Sequence, residues 1–570
     1  MLRMDRREFA LGSGALLLAG EASAERNTRE AGKNTRSPVL ATHGMVASAH
    51  PLATQIGLDI LKRGGNAVDA AIGVNAALGL MEPMSCGIGG DLMALVYDAQ
   101  SRKVYGLNAS GRSPYAASME SYRARGLAAV PTSGPLSWSV PGCVDGWREL
   151  LSRFGSRPLR EILAPTIAYA REGTPVPEVI SGYWRGAQRV LARDEDAART
   201  YLPGGRSPKA GEVFRNPELA ATYETLAKEG PEAFYRGRIA EALVEMSGKK
   251  GGLFVRKDFE DHTSTWDDAA STRYRSCDVW ALPPPTQGIA TLQILNLLDG
   301  YDLSALGANS PEFWHLFVEA KKLAYADRAR YYTDPRFAGV PVKQLVSKEY
   351  AARRRRLIQQ DRAMVGVPSG DARLQKTDTT YLCVVDKNRN CVSLIQSNYN
   401  GFGSGLAAGR LGFAMQNRGA LFALDPRHAN RLGPHRRPFH TIIPGMATRD
   451  GKPWLTFGVM GGDMQPQGQA QVLINMLDFG MDIQAAGDAP RIEHRGSASP
   501  RAEPEQARGG TVILENGIPA AVANDLARRG HVLQRTATNG GGYQAIMIDP
   551  GSGVLSGGTE SRKDGCAAGY

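Results

Sequence analysis

Asp378-Thr379-Thr380 opens the run DTTYLCVVDKNRNCVSLIQSNYNGFGSG. A polar, basic segment, QQDRAMVGVPSGDARLQKTD, ends there and a hydrophobic strand begins with threonine. If the chain is cut between Asp378 and Thr379, Thr379 carries a free α-amine beside its own hydroxyl. An unperturbed α-amine titrates at ~7.7–8.0, close to working pH, so nucleophile and base then sit on one residue. The uncut chain has an amide there, which is no base. Taken alone, a Thr-Thr pair is an ordinary start to a β-strand, where β-branched residues are favoured. The residues around it must decide between the two readings.

Ser397 follows a strand expected at Asn390–Gln396. A hairpin centred on Asn388 folds that strand back beside Thr380–Asp386, so the Ser397 hydroxyl approaches Thr379. Val459-Met460-Gly461-Gly462-Asp463 precedes a helix expected from near Gln467. A Gly-Gly pair at a helix N-terminus presents two free backbone N–H groups with a favourable dipole. Such donors suit the oxyanion of a tetrahedral intermediate and are worth ~10²–10³ in rate. His440 and Thr441, after the polar stretch 425–436, are candidates for the floor of a pocket.

These residues need rigid elements behind them. Met45–Pro51 leads into LATQIGLDILKRGGNAVDAAIGVNAALGL, whose apolar positions recur at three and four residues and which Gly64-Gly65 divides into two helices. LMALVYD and KVYGLNA read as strands, 142–245 as mainly helical, and STRYRSCDVWALPPP as strands ended by prolines. Gly288–Leu298 and Ser310–Tyr332 read as helices. The C-terminal third is strand-rich, with strands at Pro453–Val459, Gly510–Leu514 and Tyr543–Ile548 around a helix at Gly468–Phe479. Strands between helical layers indicate an α/β composite.

Composition narrows the function classes. The 570 residues carry a formal net charge of +11, but the basic residues are dispersed and no nucleic-acid motif accompanies them. Arg353–Arg356 reads as a solvated helix face. The glycine turn Cys86–Asp91 precedes a strand, whereas a dinucleotide loop follows one, and GxxxxGK[ST] is absent, so no cofactor is expected. The nine histidines show no HExxH and the six cysteines no CxxC, so no metal is expected. Cys383 and Cys391 flank the hairpin turn and either pair across it or sit as two buried thiols. At the N-terminus Arg6-Arg7, an apolar run over 9–20 and Ala22-Ser23-Ala24 form an export signal over 1–24, too short to span a bilayer. Its twin arginine implies export of a folded protein to the periplasm or beyond. A polar, disordered stretch is expected over 25–38.

Taken together, the chain resembles the γ-glutamyltransferase family of N-terminal nucleophile hydrolases, closest to its acylase and amidohydrolase branch. The landmarks run in order from about Val39 to the end: Gly64–Ala71, Gly87–Gly90, Val140–Gly142 with Asp145–Trp147, Pro284–Gly288, Glu319-Ala320 with Ala326–Arg328, Asp334-Pro335, Thr379-Thr380, Phe402–Gly405, Gly461-Gly462 and Ala489–Arg491. The resemblance implies a four-layer αββα sandwich and self-cleavage between Asp378 and Thr379. It implies one composite domain, with residues 39–378 in the large subunit and 379–570 in the small one. Thr379 is then the nucleophile that takes the acyl group of a small-molecule amide, Ser397 its supporting hydroxyl, and Gly461 and Gly462 the oxyanion donors. Water completes hydrolysis and an amine completes transfer.

The substrate clamp of true γ-glutamyltransferases is altered. Ser110 stands where the family has its carboxylate-binding arginine, and Arg112 lies two residues on. Ala420 replaces the aspartate that holds the substrate ammonium, and His440-Thr441 replaces two serines. An alanine accepts no hydrogen bond, and an unpaired polar group costs about 1–3 kcal/mol. A carboxylate bound differently, by Arg112, Arg418, His440 and Thr441, is the expectation. An exported binding protein that had lost the chemistry would also carry an altered clamp, but it would have no need of Thr379, Ser397 and the glycine pair.

Overall fold

The nucleophile candidate begins a strand at the centre of a stacked pair of sheets. The structure, a computed structural model, describes residues 36–367, 378–538 and 541–570, so the expected export segment 1–24 and residues 25–35 of the expected polar stretch lie outside the described residues. Pro38–Tyr570 packs as one unit.

The first seven-stranded sheet runs, in spatial order, Cys566–Gly569, Met45–Ser48, Asp378–Val385, Cys391–Tyr399, Asp91–Asp98, Lys103–Ala109 and Thr265–Asp267. The second runs Val39–Ala41, Leu555–Thr559, Tyr543–Ile548, Lys452–Val459, Gly445–Arg449, Cys277–Ala281 and Ala270–Tyr274, again with seven strands. All pairings in both sheets are antiparallel. The sheets face each other, with Asp378–Val385 opposite Lys452–Val459 and Tyr543–Ile548. Helices Ala67–Met81 and Cys143–Phe154 cover the outer face of the first sheet; Gly288–Leu298, Met464–Leu477 and Ile483–Asp488 cover that of the second. This is the expected helix–sheet–sheet–helix order.

The apolar pattern explains these layers. Strands buried on both faces read as continuous apolar runs, and every residue of Cys391–Tyr399 is buried. Ala67–Met81 is buried along its whole length and is apolar except at Asp69 and Asn75, as suits an internal helix. Its start is set by a capping box of Asn66 and Asp69 behind the Gly64-Gly65 turn. The strand expected at Gly510–Leu514 forms at Thr511–Glu515, but in a separate three-stranded sheet with Ile492–Arg495 and Val532–Thr536.

Two elements differ from the sequence expectation near the site. The strand expected to stop at Gln396 continues to Tyr399, so Ser397 lies within it rather than beyond its end. The helix expected from near Gln467 starts at Met464, directly after the glycine pair. Asp463 occupies the cap position without capping it, because its carboxylate is taken by Arg328. Cys383 and Cys391 are both free, buried thiols. Of Arg353–Arg356, Arg354 and Arg355 are half-buried rather than fully solvated: Arg355 donates to the Asn296 and Leu297 carbonyls, and Arg354 to that of Leu323.

Candidate active site

Thr379 sits at a register irregularity. Asp378 faces Tyr399 and Thr380 faces Gln396, so two residues, Ser397 and Asn398, oppose the single Thr379. A bulge of this kind re-aims side chains. Here the Thr379 hydroxyl donates to Ser397 Oγ at 3.3 Å, and Ser397 Oγ also accepts from the Tyr399 N–H at 2.8 Å. On its other side Ser397 pairs in register with Asp91. The next residue, Thr380, donates to Glu82 Oε2 at 2.7 Å. Glu82 Oε1 receives Ser85 Oγ and Lys563 Nζ, anchoring the strand from the opposite flank.

The glycine pair is brought to this strand through the facing sheet. Tyr381 lies so close to Gly458 that a Cβ there would stand 2.5 Å from its ring. Beyond the end of strand Lys452–Val459, Met460 leads into Gly461 and Gly462, whose φ values of 109° and 54° favour glycine. Neither amide donates to an acceptor among the described residues. The turn is held from behind. Gln287 Nε2 donates to the Gly462 and Thr441 carbonyls at 2.8 and 2.7 Å. Arg328 Nη1 donates to Gln287 Oε1 and to Asp463 Oδ1, both at 2.6 Å, and its Nη2 reaches Asp463 Oδ2. Tyr325 carries the Arg328 guanidinium at 3.8 Å from its ring and donates its hydroxyl to the Asp463 carbonyl.

The substrate-side candidates divide. Arg418, His440 and Thr441 come together: Arg418 Nη1 donates to Thr441 Oγ1 at 2.7 Å, and its guanidinium lies 4.6 Å from the Tyr399 ring. His440 Nδ1 accepts from the Ile442 N–H, so its Nε2–H donates to Asp91 Oδ2 at 2.9 Å. Burial, and then the nearby Arg418, push His440 down to about 4, so it is neutral at pH 7. Burial alone would raise Asp91; His440, Arg418 and Gln416 outweigh it and hold the carboxyl below its ordinary range. Arg112 belongs to another cluster. Its Nη1 donates to the Thr263 carbonyl, which also receives Arg437 Nη2, and burial followed by Arg437 and Arg336 pulls it down to about 9.

Sequence reasoning assigned no role to Asp91, Gln287, Arg328 or Asp463. The signal for Asp91 was a lone charge opening a buried apolar strand; that for Arg328 was an arginine within a helix that is buried nearly throughout. Among the described residues, His315, Glu319 and His531 have metal-ligand spacing. Their atoms are engaged: His315 donates to the Gln359 carbonyl and accepts from His531, and Glu319 takes Lys322 and the Met364 N–H. No helix among the described residues is long and apolar enough to cross a membrane.

Comparison with known proteins gives this arrangement its context. The family model described as gamma-glutamyltranspeptidase matches residues 53–570. The chain belongs to the γ-glutamyltranspeptidase family. A cephalosporin acylase from Bacillus halodurans superposes with a TM-score of 0.87 at 41% identity, over 95% of this chain and 99% of the other. The glutathione hydrolase-like YwrD proenzyme of Bacillus subtilis is 35% identical over 93% of this chain and 99% of its own length. The acylase ACY 1 proenzyme of a Pseudomonas strain is 34% identical, covering 93% and 94% respectively. The four-layer sandwich is therefore that of the N-terminal nucleophile hydrolases of this family, and the protein is an enzyme.

Proposed function

We propose that the protein is a self-processing amide hydrolase and acyltransferase that uses Thr379 as an N-terminal nucleophile. The observation that carries this reading is the bulged start of the central strand, where the Thr379 hydroxyl meets Ser397. In the uncut chain the Thr379 hydroxyl attacks the Asp378 carbonyl carbon. The C–N bond breaks, the hydroxyl proton ends on the released amine, and an ester forms. Water hydrolyses the ester, leaving an Asp378 carboxylate and a free Thr379 amine.

The mature residue then repeats the chemistry on substrate. Its amine takes the hydroxyl proton as the oxygen adds to an amide carbonyl. The N–H groups of Gly461 and Gly462 receive the oxyanion, with no reorganisation needed because Gln287 and Arg328 already hold the turn. The ammonium returns its proton to the leaving amine, and the acyl ester passes to water or to an amine. Ser397 orients the hydroxyl. The names of the relatives, an acylase ACY 1 proenzyme, a cephalosporin acylase and a glutathione hydrolase-like proenzyme, support amides of small acids as substrates. Arg418, with Thr441 and His440, supports the acylase side, because Ala420 supplies no acceptor for a γ-glutamyl ammonium.

Mass spectrometry of the purified protein tests this. Two fragments are expected, one starting at Thr379, and Thr379→Ala should stay uncut and inactive. A correctly folded wild-type sample that persists as one chain sinks the proposal. The same spectrum reads the start of the large fragment: export through the twin-arginine signal puts it after Ala24.

A further inference from the structure

Asn430 lies in the middle of the polar stretch 425–436 and yet is only 1% exposed. Its carboxamide is used in full. Nδ2 donates to the Leu421 carbonyl at 2.7 Å and to the Pro500 carbonyl at 3.0 Å, and Oδ1 accepts the Phe439 N–H at 2.8 Å. One N–H and two carbonyls match the acceptor and the two donors of an asparagine side chain. All three partners are backbone atoms, from three segments that lie apart in the chain. The contacts are buried, so each one broken leaves a polar group without compensation for its lost water. The Asn430 main chain closes the stretch as a loop: its carbonyl accepts the Ala423 N–H, and the Leu432 N–H donates to the Ala423 carbonyl.

The three segments carry the residues on the substrate side of the site. Leu421 ends the turn Arg418–Leu421. Phe439 directly precedes His440 and Thr441. Pro500 leads into Arg501, which pairs with Glu503. Arg501 belongs to the same surroundings because it acts on Tyr399: burial pushes the Tyr399 phenol up to about 12, and Arg501 is the strongest charge opposing this, ahead of Arg418. The bond of 2.7 Å from Arg418 to Thr441 requires the first two segments at a fixed separation. Asn430 spans them from the Leu421 carbonyl to the Phe439 N–H and ties the third to both. Among the described residues, none of its side-chain bonds goes to Thr379, Ser397, Gly461 or Gly462.

Resting on the amidase reading above, we infer that Asn430 is a positioning residue that sets the spacing of these three segments and so determines which acyl groups Thr379 accepts. It has no part in self-cleavage. The Asp378–Thr379 peptide is held beside the nucleophile by the chain itself and needs no pocket, whereas a free amide must be bound and oriented by one. One nucleophile thus has two reactions, and the intermolecular one alone depends on Asn430.

The test compares the wild-type full chain with Asn430→Leu and Asn430→Asp. Leucine fills a similar volume and removes all three bonds. Aspartate keeps the acceptor for Phe439 but sets an oxygen against the Leu421 and Pro500 carbonyls. Self-cleavage is followed by gel. The cleaved proteins are then assayed on p-nitroanilides of straight-chain acids from acetyl to hexanoyl, on their ω-carboxyl counterparts and on γ-glutamyl-p-nitroanilide. Both variants should cut at the wild-type rate, which also reports their folding. On the best wild-type substrate, kcat/KM should fall by at least about 10-fold, the equivalent of leaving one buried carbonyl unpaired, with most of the loss in KM. The preference for that acyl group over its neighbours one carbon longer or shorter should move toward one. If one variant fails to fold, the other decides. Wild-type selectivity in a fully cleaved variant overturns the inference and leaves the amidase reading intact. Failure of both variants to fold and cut also overturns it, because Asn430 then serves the fold as a whole. A wild-type chain that never cuts, or that cuts and turns over none of the anilides, overturns the amidase reading and the inference with it.

Discussion

Replacing Arg328 with lysine isolates the support of the glycine turn from the turn itself. Arg328 is about 1% exposed in its side chain and makes three bonds, one to Gln287 and two to Asp463. Lysine keeps the charge but presents a compact ammonium in place of a planar fork, so it cannot span both partners. Losing one hydrogen bond to a charged group costs about 1.5–3 kcal/mol. The chemical consequence follows the same path: Gln287, released on one side, no longer fixes the Gly462 carbonyl, and the turn shifts. A misplacement of about 1 Å can cost ~10² in rate, within the ~10²–10³ that a lost oxyanion donor would cost. Arg328→Lys is therefore expected to lower kcat by about 100-fold with KM nearly unchanged, because the oxyanion exists only in the transition state. Steady-state kinetics on the cleaved protein, with the cleavage rate followed by gel, supply the assay. Wild-type kcat in a fully cleaved Arg328→Lys sample refutes the reasoning.

Two further outcomes follow from buried charge. His440 and His50 are held down to about 4 and His262 to about 3, in each case first by burial, whereas an unfolded histidine titrates near ~6.5. Between these values the unfolded chain binds more protons than the folded one. Their contribution is thus fully present above about pH 6.5 and is lost as pH falls toward 4, with His440 alone worth about 3 kcal/mol. A melting temperature that rises on acidification from pH 6.5 to 4.5 would contradict this. Lys563→Met leaves Glu82 without its cation in a buried site, which should cost about 3–5 kcal/mol and lower the melting temperature. An unchanged melt would show that the remaining hydrogen bonds of Glu82, those from Thr380 and Ser85 among them, satisfy it without the ammonium.

Much of this arrangement was legible in the sequence, and the parts that were not share a cause. Periodicity and glycine punctuation located the two helices about Gly64-Gly65 and the hairpin about Asn388, because local pattern alone sets them. The start of the helix at Met464 was misplaced by three residues because Asp463, a normal capping residue, is diverted by Arg328 from a distant helix. Ser397 was put past its strand because polar residues 396–398 break the apolar pattern; their side chains are buried by the turn at Ser85–Gly87 and by Thr379. Arg354 and Arg355 read as a charged surface run but bond distant helix carbonyls. Long-range partners decide each of these, and no local pattern encodes them.

Strand order has a consequence for how the enzyme can be assembled and lost. With a cut before Thr379, ownership along the first sheet changes three times: Met45–Ser48 of one piece is flanked by Cys566–Gly569 and Asp378–Val385, and Cys391–Tyr399 abuts Asp91–Asp98. The second sheet changes ownership twice, at Val39–Ala41 and at Cys277–Ala281. Neither seven-stranded sheet can be completed by one piece without the other's strands. The uncut chain is thus the template on which both are laid down, and the tether that made folding a one-body event disappears afterwards. Denaturing the mature molecule then turns refolding into a two-body search, dependent on concentration, so its working lifetime is set by the rate at which it opens rather than by an equilibrium it can return to.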